Sequence, residues 1–94
     1  MNYQYLKNKF TDGNGNYIFN VPVIQMSIED LKDYIEFKRL RYIKASQLND
    51  KYGTIKTIND EHKKQCEYCN ALRLVKNNRP DFVLSEKELQ FSCF

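Results

Sequence analysis

Tryptophan is absent, histidine occurs once, and only three glycines and two prolines punctuate 94 residues. Each scarcity removes a class of function. With His62 alone there is no second imidazole to build a base-and-ligand pair. With glycine only at 13, 15 and 53, neither a dinucleotide-binding GxGxxG nor a Walker-type phosphate loop can be written. No run of about 18 apolar residues crosses a bilayer, and MNYQYLKNKF holds neither the apolar stretch nor the small-residue site of a signal peptide. These features predict an unexported, cytoplasmic chain with no membrane partner and no enzymatic activity.

What remains is 41% apolar, 14% aromatic and mildly basic, with a net charge of +3. That composition suits a single domain over 1–94. The charge falls short of a dedicated nucleic-acid binder. No repeat, linker or low-complexity tract divides the chain.

TDGNGN, residues 11–16, joins Asp12-Gly13 to Asn14-Gly15, pairs that populate the positive-φ positions of tight turns. It predicts a β-hairpin between 2–10 and 17–26, with Tyr17, Phe19, Val21 and Val23 alternating onto one face. Asp12, Asn14 and Asn16 also resemble a calcium loop, but Tyr17 and Val23 stand where the EF-hand needs Gly and Glu, so turn chemistry explains them better. Ser27 is placed to cap a helix over about 27–50, whose stripe Ile28, Leu31, Ile35 and Tyr42 follows helical spacing. Phe37, Leu40 and Leu48 fall nearly opposite, which makes this helix either centrally sandwiched or partly open to a partner. After Gly53, Thr57 or Asn59 can cap a second helix reaching about Asn78. The tail alternates at Leu89, Phe91 and Cys93, and Ser85–Glu88 reads as a turn back onto Phe82-Val83-Leu84. The expected fold is therefore a small α+β domain, ββααββ, with an N-terminal β-hairpin, two central helices and a C-terminal strand or hairpin.

QLNDKYGTIKTIN, residues 47–59, resembles a helix-turn-helix in its placement of Leu48, Gly53, Ile55 and Ile58, with Asn49 where a small apolar residue normally packs. The resemblance spans 13 residues and implies DNA binding without naming a family.

EHKKQCEYC, residues 61–69, places His62, Cys66 and Cys69 on one helical face, and with Cys93 the chain holds one of the accepted structural zinc sets. An unbroken helix separates His62 from Cys69 by roughly 10.5 Å, and no Gly or Pro breaks it. Buried, reduced thiols are the favoured reading, with no metal and no cofactor; redox chemistry ranks last because Cys66 lies well inside its helix.

FKRLRYIK, residues 37–44, sets Lys38, Arg39, Arg41 and Lys44 among aromatic rings. Seven Tyr and six Phe exceed what a core this size should hide, so the chain is expected to be a small protein-binding module that engages its partner through Phe37, Lys38, Arg39, Leu40, Arg41, Tyr42 and Lys44, as a monomer or small homo-oligomer. Its size and style fit a phage or mobile-element inhibitor of a host nuclease or defence system. The alternatives are a nucleic-acid-binding regulator using the basic segment 37–56, directly or through the partner, and a zinc-stabilised module.

Overall fold

The computed structural model describes residues 3–91, and these residues are mostly helical. Four helices occur, α1 (Tyr3–Phe10), α2 (Ile28–Tyr52), α3 (Ile55–Asn78) and α4 (Glu86–Phe91), with a 3-10 turn at Val23–Gln25. No sheet forms among the described residues; Thr11 and Tyr17 make one isolated antiparallel bridge. The ββααββ, α+β expectation is thereby overturned at both ends.

The N-terminal turn itself is real. The Asp12 carboxylate accepts from the N–H groups of Asn14 and Asn16 at 2.8 and 2.9 Å, and Gly15 takes a φ of 85°. Those bonds hold its pKa below the ordinary carboxylate value. What fails is the ladder. Residues 3–10 wind into α1 because Leu6 and Phe10, four apart, then point the same way and are both fully buried. At the other end, Ser85 and Glu88 form a reciprocal cap, with Ser85 N–H donating to Glu88 Oε1 (2.9 Å) and Glu88 N–H to Ser85 Oγ (3.3 Å). That S-x-x-E box starts α4 where a strand turn was expected. Leu84 is buried and Val83 is 89% exposed, so the alternation before it is genuine, but among the described residues no strand meets it.

The central helices match the sequence closely. Ser27 Oγ accepts from Asp30 N–H at 3.1 Å to open α2. Gly53, at φ 60°, closes α2 in the left-handed region, donating to Asn49 O at 2.8 Å. Thr54 then caps α3 in place of Thr57 or Asn59, exchanging hydrogen bonds with Thr57 in a capping box.

Because the connection is so short, α2 and α3 fold back as an antiparallel pair. Asn49 meets Glu61 near the turn, Tyr42 stacks on Tyr68 halfway down, and Leu31 and Ile35 pack with Leu72 and Val75 at the base. A helix-turn-helix crosses its helices at about 90–120°. This lengthwise pairing is a different arrangement, and it corrects the resemblance at 47–59.

Two apolar clusters result. One lies between α2 and α3 and includes Met26, Leu31, Ile35, Tyr68, Leu72, Val75 and Leu84. The other lies on the opposite side of α2, where α1 presses Leu6 and Phe10 onto Phe37; Phe19 and Tyr34 border both. Helix α2 is therefore sandwiched along its base and open toward its C-terminal end, where Leu48 and Tyr52 are exposed. Its second apolar stripe is covered by the chain's own N-terminus as far as Lys44.

Candidate functional site

Lys9 fixes how α1 lies on α2. Its ammonium reaches Asp30 at 2.6 Å and Asp33 at 2.9 Å. Burial works against that charge, but the hydrogen bonds and charges of the two carboxylates outweigh it and raise the pKa of Lys9. At the other end of α1, Tyr3 stacks on Phe37 and receives the Lys44 ammonium 4.7 Å from its ring centre. The two helices thus run antiparallel, with the acidic start of α2 under basic α1.

The residues expected to meet a partner divide between the inside and the outside of this arrangement. Phe37 is 1% exposed and sits under α1, stacked with Phe10 at 5.2 Å. Leu40 packs at the edge of the same cluster and Tyr42 at the edge of the other. Lys38 is half-buried beside the rings of Tyr17, Tyr34 and Phe37; burial lowers its pKa against the attraction of Glu67. Arg41 faces Glu67 at 3.5 Å. Arg39 makes a two-pronged bond with Glu36 on its own helix. Of the basic four, Lys44 is the most exposed and lies nearest the helix end.

Most of the aromatic supply is used the same way. Phe10 alone contacts Tyr17, Phe19, Tyr34 and Phe37. Part of the apolar surplus lies at the turn between α2 and α3, and the rest is scattered over the surface, at Ile18, Ile24, Ile28, Leu74 and Val83 among others. No residue from 46 to 67 is buried. Leu48 is 48% exposed, Tyr52 58%, Ile58 51% and Ile55 79%. What holds the two helices there is polar: Asn49 donates to Glu61 Oε2 at 2.6 Å and accepts from Thr57 Oγ1 at 3.1 Å.

Leu48 and Tyr52 continue the stripe that α1 covers lower down, since Phe37, Lys44, Leu48 and Tyr52 recur at helical spacing. Beyond Tyr3 that stripe opens into a groove of about 580 Å³ lined by Leu48, Tyr52, Lys56, Asn59, Asp60 and Lys63. Lys44 and Lys51 border its continuation along α2. Asp60 is matched by Lys64 at 3.5 Å. The floor is therefore apolar and the rim carries lysine. Leu48 was visible in the sequence as an off-stripe residue, but Tyr52, Lys56 and Lys63 were not singled out. Their signal is the same periodicity carried across Gly53 into α3, and it needs the hairpin geometry to be read.

The thiol cluster is looser than a metal site. His62 Nε2 lies 3.7 Å from Cys66 Sγ on an exposed face, and Cys69 is buried one turn further on. Burial pushes the Cys69 thiol up, and Cys66 adds to it, so thiolate chemistry is disfavoured there. Among the described residues no three His, Cys, Asp or Glu side chains converge as a metal would need. Cys93, the fourth candidate ligand, lies outside the described residues. Among those residues, too, no helix is long and apolar enough to cross a membrane.

The fold and site define a helical hairpin strapped at one end by an N-terminal helix and bare at the other. Compared with protein-family models, curated proteins and solved structures, the chain matches none, and these comparisons lend no support to the phage-borne inhibitor expected from size and style.

Proposed function

We propose that the protein is a non-enzymatic protein-binding module that docks its partner on the tip of the α2–α3 hairpin. One observation carries this reading: the stripe of α2 that α1 covers at the base continues uncovered at the tip, where Leu48 and Tyr52 floor an open groove. Apolar side chains with a polar tip, such as Tyr, make effective anchors when a partner desolvates them. The expected contact set thus moves from Phe37–Lys44 toward Lys44–Lys63. The nucleic-acid reading draws less support, since Lys38, Arg39 and Arg41 are engaged within the chain by aromatic rings, Glu36 and Glu67. Phosphate contacts need available cations, and in the segment 37–56 the exposed ones are confined to the tip side, at Lys44, Lys51 and Lys56.

Affinity capture from the native source with the wild-type chain and with Leu48→Ala/Tyr52→Ala tests it. A protein retained by the wild type at moderate and high salt, and lost from the double variant, is the expected result. A retained species indifferent to that change, or nucleic acid released steeply by salt, contradicts the reading.

A further inference from the structure

The stripe on α2 carries opposite charges at its two ends. At the base, Asp30 and Asp33 line it, and the helix that lies there, α1, is basic: it contains Lys7 and Lys9 and no acidic residue, and Lys9 bridges both carboxylates. Toward the tip, the same stripe is bordered by Lys44, Lys51, Lys56 and Lys63. The acidic groups nearby are largely spoken for. Asp60 pairs with Lys64, and Glu61 accepts from Asn49; Asp50 is exposed but lines neither part of the groove.

Resting on the protein-binding reading, we infer that the tip groove accepts an acidic amphipathic helix, a segment that places apolar side chains on Leu48 and Tyr52 and carboxylates against Lys44, Lys51, Lys56 and Lys63. The base of the molecule supplies the precedent for the geometry. There a short helix of eight residues lies antiparallel on α2, inserts two apolar side chains four apart, and matches the local charge. At the tip the shape of the stripe repeats while its charge reverses. A basic segment is repelled by four lysines, and a purely apolar one leaves them unmatched, so complementarity selects the acidic helix. A second copy of this chain offers no such segment among α1 to α3: α1 is basic, the acidic first turn of α2 holds Asp30, which is already bonded to Lys9, and Asp60, Glu61 and Glu67 of α3 are bonded to Lys64, Asn49 and Arg41. The acidic first turn of α4 belongs to a helix of only six residues.

The probe is a fluorescein-labelled designed peptide of about sixteen residues, long enough to fold on contact, with Leu at helical i, i+4, i+7 spacing and Glu on the flanks. Its counterpart carries Lys in place of Glu, and a DNA duplex is the third ligand. Anisotropy titrations use the full chain, Lys56→Glu/Lys63→Glu, Leu48→Asp, and Val83→Asp as a remote control, with helicity of every variant checked by circular dichroism. The acidic peptide should bind the wild type and the Val83 variant. It should weaken at least about tenfold, or roughly 1.4 kcal/mol, for the other two, while the lysine peptide gains on Lys56→Glu/Lys63→Glu. That swap cannot come from misfolding. Equal binding of both peptides, no peptide binding, duplex binding abolished by the same lysine variants, or self-association lost on Leu48→Asp each overturns the inference. If native capture depends on Leu48 and Tyr52 while neither peptide binds, the acidic-helix occupant falls and the binding module stands.

Discussion

At the base of the hairpin, Leu31, Ile35, Leu72 and Val75 meet across α2 and α3 with almost no exposure, while at the tip the groups that meet are Asn49, Thr57 and Glu61. The same two helices thus use two kinds of cohesion. Burial at the base is non-directional and supplies most of the stability. Hydrogen bonds and caps at the tip fix geometry while contributing about 0.5–1.5 kcal/mol each. An apolar side chain removed from the first region should cost the fold, and one removed from the second should cost only what the tip touches.

The sharpest contrast is expected at Phe37, which was expected to meet a partner and which α1 in fact covers. Phe37→Ala should destabilise the protein by about 3–5 kcal/mol in denaturant unfolding, as core aromatic truncations do. A cost below about 1 kcal/mol would mean that α1 does not seal this side.

Alkaline titration comes next and acts on the base. Burial, helped by Glu88, holds Tyr68 protonated up to about 12, against an ordinary value of 10.0. The unfolded chain releases that proton first, so stability should fall as pH rises from about 10 to about 12, by an amount on the order of 2 kcal/mol. Unfolding midpoints of the wild type and of Tyr68→Phe check it, because burial holds Tyr17 up to about 12 as well and it titrates in the same window. A flat profile across that window would show that Tyr68 is not sealed against Tyr42.

Asn49→Ala should remove the tip's hydrogen-bonded link at a smaller cost, about 1–2 kcal/mol, and hydrogen exchange should accelerate over residues 46–64 while Leu72 and Val75 amides keep their protection. Smallest of all, Ile55→Ser should change unfolding free energy by no more than about 0.5 kcal/mol, since Ile55 is 79% exposed. A larger loss would mean the tip buries it.

These regions were unequally legible. Ser27 and Gly53 marked the ends of α2 because caps are local chemistry, written in one side chain and one φ angle. The turn at Asp12–Gly15 was legible for the same reason. The strands on either side were misread because a turn does not determine what flanks it. Leu6 and Phe10 alternate as acceptably as they wind, and only Phe37, far along the chain, decides for α1. Ser85 and Glu88 carried a helix-start signal that the alternation of Leu89 and Phe91 obscured. At the candidate site, the basic cluster was visible by composition and the pairing of Arg39 with Glu36 is local, three residues apart on one helix, but the engagement of the rest by Glu67 and the N-terminal rings is tertiary. So the emphasis moves along α2, from Phe37 and Arg41 to Leu48 and Tyr52.

On the proposed function, the tip keeps apolar side chains exposed because a partner, and not the core, covers them. The most direct measurement pairs unfolding free energy and partner binding on one preparation of Leu48→Ala/Tyr52→Ala. The account predicts a stability change within about 1 kcal/mol and a loss of binding of at least about tenfold. A loss of about 2–5 kcal/mol, typical of core truncation, or undiminished binding, would contradict it.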